Sequence, residues 1–322
     1  MSYSRTVHLP VPPDEAFALV TEPERLRRWQ TVSAAVDLRA GGSYRWTVTP
    51  GHIAAGTFRE VEPGRRIVYG WGWEGDQDLP PDASTVTVTI APADGGSSVT
   101  LEHDGLSDEQ AERHAEGWAH FLTRLEDVAA TGDAGRDDWA RVPAVLEPVT
   151  AAEAVLAAVQ PVLRGVATED HALPTPCAQF TVGELVDHLL GALSTLAAMA
   201  GSTDDFPAVG SIENRASVLT ARVLDALRAP DVDADGARRE SSGIAATVLP
   251  VELLLHGWDL ATATGADLDV DDDLVAYVHG LAEQIIPGGR ANGSFADEIQ
   301  AAPDASAADR LAAYAGRSPQ VA

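Results

Sequence analysis

Between Tyr44 and His103 the apolar residues fall in runs that recur every second position, and after Ser107 they recur every third or fourth. That change of period divides the chain into a sheet-forming part and a helical part. Tyr44 and Trp46 alternate with polar neighbours. Ile67, Tyr69, Trp71 and Trp73 share one face, Val86, Val88 and Ile90 alternate with threonines, and Val99, Leu101 and His103 make the next face. Such alternation marks strands with one buried side. Ala40-Gly41-Gly42, Glu62-Pro63-Gly64 and Ala93-Asp94-Gly95-Gly96 are turn signals between the runs, so successive strands pair antiparallel. Ahead of them lie a short strand over 6–11 and helical pieces over 12–20 and 26–29. Behind them Ser107-Asp-Glu-Gln opens a long helix with Trp118, Phe121, Leu122 and Leu125 on one stripe. Residues 1–131 therefore read as an α+β domain, a curved antiparallel sheet around a long C-terminal helix.

Residues 132–148 are small, polar and proline-containing, the composition of a linker. From 149 to 322 the pattern is helical throughout. Thr150-Ala-Ala-Glu153 has capping-box form and predicts a helix that Pro161 kinks or divides. A second box, Thr181-Val-Gly-Glu184, opens a helix over 182–199, with further helices over 212–229, 248–263, 272–285 and 309–314. The expected second domain is an all-α bundle, and sites in bundles form between facing helices.

Charge and composition exclude several classes. The formal net charge is −27, and the 22 basic residues are all arginine, the codon signature of a GC-rich genome. So negative a surface repels phosphate backbones, and nucleic acid is not an expected partner. No uninterrupted apolar run approaches about 18 residues and the N-terminus lacks a signal-peptide core, so the expectation is a cytoplasmic protein without a membrane partner. The single cysteine, Cys177, rules out an intrachain disulfide and a zinc thiolate cluster.

The stretch 248–263 is apolar almost all round, yet it carries Glu252, His256 and Asp259 within about 60° of one another on a helical wheel. Glu252 and His256 stand on adjacent turns, where a carboxylate and an imidazole can hold zinc if a facing helix provides a third ligand. Ferrous iron or nickel accepts the same set. The competing reading is a buried Glu–His hydrogen-bonded pair. Asp259 either orients a ligand by hydrogen bonding or bridges helices. In the first domain Trp46, Trp71, Trp73, His103 and Trp118 read either as the lining of a ligand cavity between sheet and helix or as core packing.

Leu38-Arg39-Ala40-Gly41-Gly42-Ser43-Tyr44-Arg45, Gly56-Thr57-Phe58-Arg59-Glu60-Val61-Glu62-Pro63, Val99-Thr-Leu-Glu-His103 with Gly105-Leu106, and Gly117-Trp118 resemble the START-like helix-grip (SRPBCC) superfamily. The likeness is to bacterial homologues of the activator of the heat-shock chaperone ATPase. It implies the fold, and a domain that binds apolar small molecules; a chaperone partner ranks last among the readings.

Pro174-Thr-Pro-Cys-Ala-Gln-Phe-Thr-Val-Gly-Glu-Leu-Val-Asp-His188 and Glu252-Leu-Leu-Leu-His-Gly-Trp-Asp-Leu-Ala261 resemble the DinB-like metal-binding bundles of actinobacteria, relatives of mycothiol-dependent maleylpyruvate isomerase. Ala305-Ser-Ala-Ala-Asp-Arg-Leu311 with Gly316-Arg-Ser-Pro319 fits the metal-binding subfamily as well. The resemblance implies His188, Glu252 and His256 as ligands of a divalent ion, usually zinc. It implies mycothiol as co-substrate and a thiol-dependent transferase or isomerase acting on a small electrophile. The isomerase carries its extra domain behind the bundle, whereas this chain carries one in front, so maleylpyruvate isomerisation itself is not carried over. The alternative is a non-catalytic binding or sensor protein with a structural metal. A homodimer is left open.

Overall fold

The computed structural model describes residues 2–203, 208–229 and 236–318. The chain divides into two compact units, Met1–Asp137 and Asp138–Ala322.

The first unit contains β1 (Tyr3–Leu9), α1 (Pro13–Thr21), α2 (Pro23–Leu26), β2 (Ser33–Val36), β3 (Ser43–Thr49), β4 (His52–Glu62), β5 (Arg66–Trp71), β6 (Ser84–Ala93), β7 (Gly96–Asp104) and α3 (Asp108–Thr131). Its seven strands form one sheet in the order β1-β7-β6-β5-β4-β3-β2, with every pair antiparallel. The period-two runs set the register. Val86 pairs with His103, Val88 with Leu101 and Ile90 with Val99, so the apolar side chains of β6 and β7 lie on one face. Against that face α3 lays Trp118, Phe121, Leu122, Leu125 and Val128, all buried. Ser107 and Gln110 close a capping box at its start, and Gly132 ends it at φ +91°, a conformation that costs a residue with a Cβ about 1–2 kcal/mol. The strand count after the two short helices and the grip of sheet on helix agree with the pattern of the sequence.

The linker stretch is shared between the units. Arg124 on α3 donates to the carbonyls of Ala134, Gly135 and Arg136, and His120 Nε2 lies 2.8 Å from Asp137, so residues 134–137 fold back onto the first unit. Arg141 instead joins Asp138 and Asp269 in the second.

The second unit contains α4 (Pro148–Gly165), α5 (Val182–Ala200), α6 (Ile212–Arg228), α7 (Gly236–Thr264), α8 (Asp272–Asn292) and α9 (Ala307–Tyr314). Among its described residues there is no strand beyond an isolated bridge between Pro174 and Thr181. Helix α7 packs against α4, α5 and α8. A Cβ at Gly257 would come within 2.5 Å of Val159, so glycine is what lets α7 approach α4 so closely.

Three sequence expectations need correction. Helix α4 starts at Pro148, not at a Thr150 cap; the Thr150 hydroxyl instead accepts from the Glu147 N–H at 3.0 Å, and Glu147 is the cap residue. Pro161 does not divide it. One proline in a helix costs about 3 kcal/mol, and Val155, Leu156 and Val159 before it and Val162 and Leu163 after it are all buried, which outweighs that cost. Helix α7 begins at Gly236 and runs through Pro250, well before the apolar run, because its polar first turns carry no periodic signal. Helix α5 and the 238–264 part of α7 have the length and mean hydropathy of membrane spans, 1.2 and 1.3. Both pack into the bundle, and α7 is mostly buried there, which accounts for their apolar composition.

Candidate metal centre

The loop before α5 prepares the first ligand candidate. Thr175 donates to the carbonyls of Cys177 and Phe180, and Thr181 with Glu184 forms the predicted capping box. The Phe180 ring then stacks on His188 with centroids 4.8 Å apart and planes 25° apart. His188 lies beside the buried stripe of α5 and its ring is exposed on one side. Burial by its neighbours, and then the charge on His256, hold its pKa below the usual histidine value, so it presents a neutral imidazole.

Helix α7 brings the others. His256 Nε2 is 3.2 Å from Glu252 Oε2 one turn earlier, and its Nδ1 is 3.2 Å from Asp259 Oδ2 on the next turn. The rings of His188 and His256 meet edge to face, with centroids 5.1 Å apart. Ligand atoms of His188, Glu252 and His256 all lie within 4.8 Å of one another. Burial pushes the His256 pKa down, but the carboxylates of Asp259 and Glu252 on either side of the ring outweigh it and hold it up at about 9. Burial raises Glu252, and its histidine neighbours bring it below the ordinary carboxylate value, so it is ionised.

One atom tests whether these residues fit a divalent ion. Glu252 Oε2 is buried and has no hydrogen-bond partner; its approach to His256 Nε2 lacks hydrogen-bond geometry. A buried charged oxygen without a donor costs several kcal/mol. An ion held between Glu252, His256 and His188 would satisfy it. The donor set fits zinc.

Asp259 is fully buried, and Arg317, from the segment after α9, donates through Nε to both its oxygens at 3.1 and 2.9 Å. Asp259 therefore stands beside a ligand candidate as well as bridging to another segment. Sequence reading did not single out Arg317, because its partner lies far back in the chain; the only signal was its place in Gly316-Arg-Ser-Pro319. Cys177 is half-buried, its thiol pKa raised by burial, and it lies outside the three-residue group. Trp258 is buried and its Nε1 donates to Asp309.

In the first unit the five aromatic candidates are brought together, packed on one another. Trp46, Trp71, His103 and Trp118 are buried and Trp73 is half-buried. Trp71 contacts Trp46, Trp73, His103 and Trp118 at centroid distances of 5.1–6.2 Å. His103 is fully satisfied. Trp118 Nε1 can only donate, so His103 Nδ1 accepts at 3.0 Å, and Nε2 then donates to Ser84 Oγ at 2.8 Å. A gap between sheet and α3, lined among others by Trp29, Tyr69, Trp118 and Leu122, holds about 10 Å³, room for a single water.

Burial, and next the neighbouring His114, lower the His103 pKa to about 3. The unfolded chain has an ordinary histidine there, near 6.5, and binds the proton first as pH falls. His103 therefore contributes stability in full above about pH 6.5 and loses it down to about pH 3, by up to about 1.4 kcal/mol per pH unit. Denaturant unfolding of the first unit across that window should show a steeper pH slope in the parent than in His103→Gln. Equal slopes would exclude His103 as the cause.

Comparison with known proteins places the first unit. The family described as Activator of Hsp90 ATPase homolog 1-like protein matches residues 10–130. An uncharacterized Mycobacterium tuberculosis protein, Rv0738, is 28% identical over 190 residues, covering 54% of this chain and 99% of its own length, a span longer than the whole first unit. The AHSA1-like protein of Rhizobium etli, solved in solution, is 42% identical over 46% of this chain and 91% of that one, with a TM-score of 0.38. The Aha1 dimer of Colwellia psychrerythraea is 14% identical over 41% of this chain and 98% of that one, with a TM-score of 0.37. Through its helix-grip unit, residues 10–130, the chain belongs to the Activator of Hsp90 ATPase homolog 1-like family.

Proposed function

We propose that the second unit is a DinB-like bundle that binds a divalent ion, most simply zinc, through His188, Glu252 and His256, and uses it in thiol-dependent transfer to a small electrophile. The observation that carries this reading is the buried Glu252 Oε2, which makes no hydrogen bond and faces two imidazoles from different helices. A bound divalent ion would supply the Lewis acidity that makes a thiol such as mycothiol nucleophilic at neutral pH.

The chain's own residues do the rest. Phe180 fixes the plane of His188. Asp259 accepts from His256 Nδ1 and so leaves Nε2, the nitrogen turned to Glu252, for the ion. The exposed side of His188 leaves the centre open to solvent, where a thiol can reach it. In the helix-grip unit the aromatic interior is filled, and Trp73 is the member of its cluster nearest solvent.

The test is turnover. Loaded with zinc and given mycothiol, the protein should alkylate the thiol with an electrophilic probe such as monobromobimane faster than mycothiol reacts alone, and chelation should abolish the difference. Stoichiometric zinc with no acceleration for any thiol would remove the catalytic half and leave a binding protein with a structural ion.

A further inference from the structure

The centre is tied to the far end of the chain by one side chain. Arg317 is buried, and its Nε–H is shared between both oxygens of Asp259. Its Nη1 donates to the Ala315 carbonyl at 3.3 Å, and its Nη2 faces Cys177 Sγ at 4.0 Å, so the guanidinium is held on three sides. Asp259 in turn meets His256 Nδ1 at 3.2 Å. Ionised, Asp259 can only accept, so Nδ1 carries a hydrogen toward it, and Nε2, turned toward Glu252, is the nitrogen left for an ion.

We propose that Arg317 is a positioning residue for the metal centre: by fixing Asp259 it fixes the ring of His256, and through that ring the affinity for the ion. The inference rests on His188, Glu252 and His256 being the ligands. Two observations distinguish it from a plain anchor for the C-terminal segment. Helix α9 is docked without Arg317, by Trp258 Nε1 on Asp309 at 2.9 Å and by buried Leu311, Ala312 and Ala313. A buried ion pair is by itself weak stabilisation, because desolvating both charges offsets their attraction. What the pair does accomplish is to hold a carboxylate at one nitrogen of a ligand ring, an arrangement whose loss costs metal sites about 10- to 100-fold in affinity.

The full chain is tested by chelator competition for Zn²⁺ and by the visible absorption of the Co²⁺-loaded protein. Arg317→Gln should bind zinc about 10- to 100-fold more weakly and shift the cobalt bands, with its circular dichroism unchanged. Arg317→Lys restores the charge but not the fork and should fall between the two. Trp258→Phe removes the tie to α9 and should leave zinc affinity unchanged. If Arg317→Gln does not fold, Asp259→Asn, which keeps the side-chain shape, gives the deciding measurement. Parental zinc affinity and cobalt spectrum in the folded variant overturn the proposal while leaving the ligands in place. A parent chain that binds no more zinc than His256→Ala overturns both.

Discussion

Purified protein supplied with zinc is expected to hold about one ion per chain, and Glu252→Ala or His256→Ala to hold almost none. The expectation follows from charge as much as from geometry. Glu252 is the only carboxylate in the group, and without it two neutral rings face a dication in a half-buried site. Without His256 only two candidates remain, His188 and Glu252, on separate helices. Stability gives a second readout, because an ion that binds only the folded chain stabilises it by about 2.7 kcal/mol at a hundred times its Kd. The parent should melt higher with added zinc, and the two variants should not respond. A simple buried Glu–His pair would behave otherwise: both substitutions would lower the melting temperature, and zinc would move none of the three proteins. Elemental analysis and thermal melts together decide it.

Trp118→Ala should destabilise the first unit by about 3–5 kcal/mol. The ring is buried where α3 meets the sheet, 5.1 Å from the Trp71 ring, and the gap beside it is too small to let neighbours close in. The substitution also strips His103 Nδ1 of its only donor, leaving a buried acceptor unpaired. Trp118→Phe keeps most of the volume and should cost less. Denaturant unfolding of the first unit is the measurement. A loss below about 1 kcal/mol would mean that Trp118 lines adaptable space and not a close-packed core, which would restore the cavity reading for the whole aromatic cluster.

What could be read beforehand was what repeats locally. Alternation at Val86–Ile90 and Val99–His103 gave the strands and even their shared face, and Ser107 and Thr181 marked two helix starts by side-chain chemistry alone. Pro161 misled because its cost is local while the burial that offsets it, around Val155–Leu163, is tertiary. At the centre, Glu252 and His256 were legible from one turn of helix, whereas His188 came from motif likeness. Arg317 was not legible: nothing in the neighbourhood of Gly316 says that a guanidinium there will reach Asp259. The filled interior of the helix-grip unit was equally hidden, since a stripe of aromatics looks the same whether it lines a void or closes one.

The joining of α5 to α7 has a consequence for chain entropy. His188 and His256 flank the whole of α6, so an ion shared between them would close a long loop, as a disulfide does. A cross-link of that span restricts the unfolded chain by about 4 kcal/mol in the loop-closure picture. With Cys177 alone, the chain has no intramolecular disulfide to offer. The ion would be its substitute, a staple that can be withdrawn by chelation.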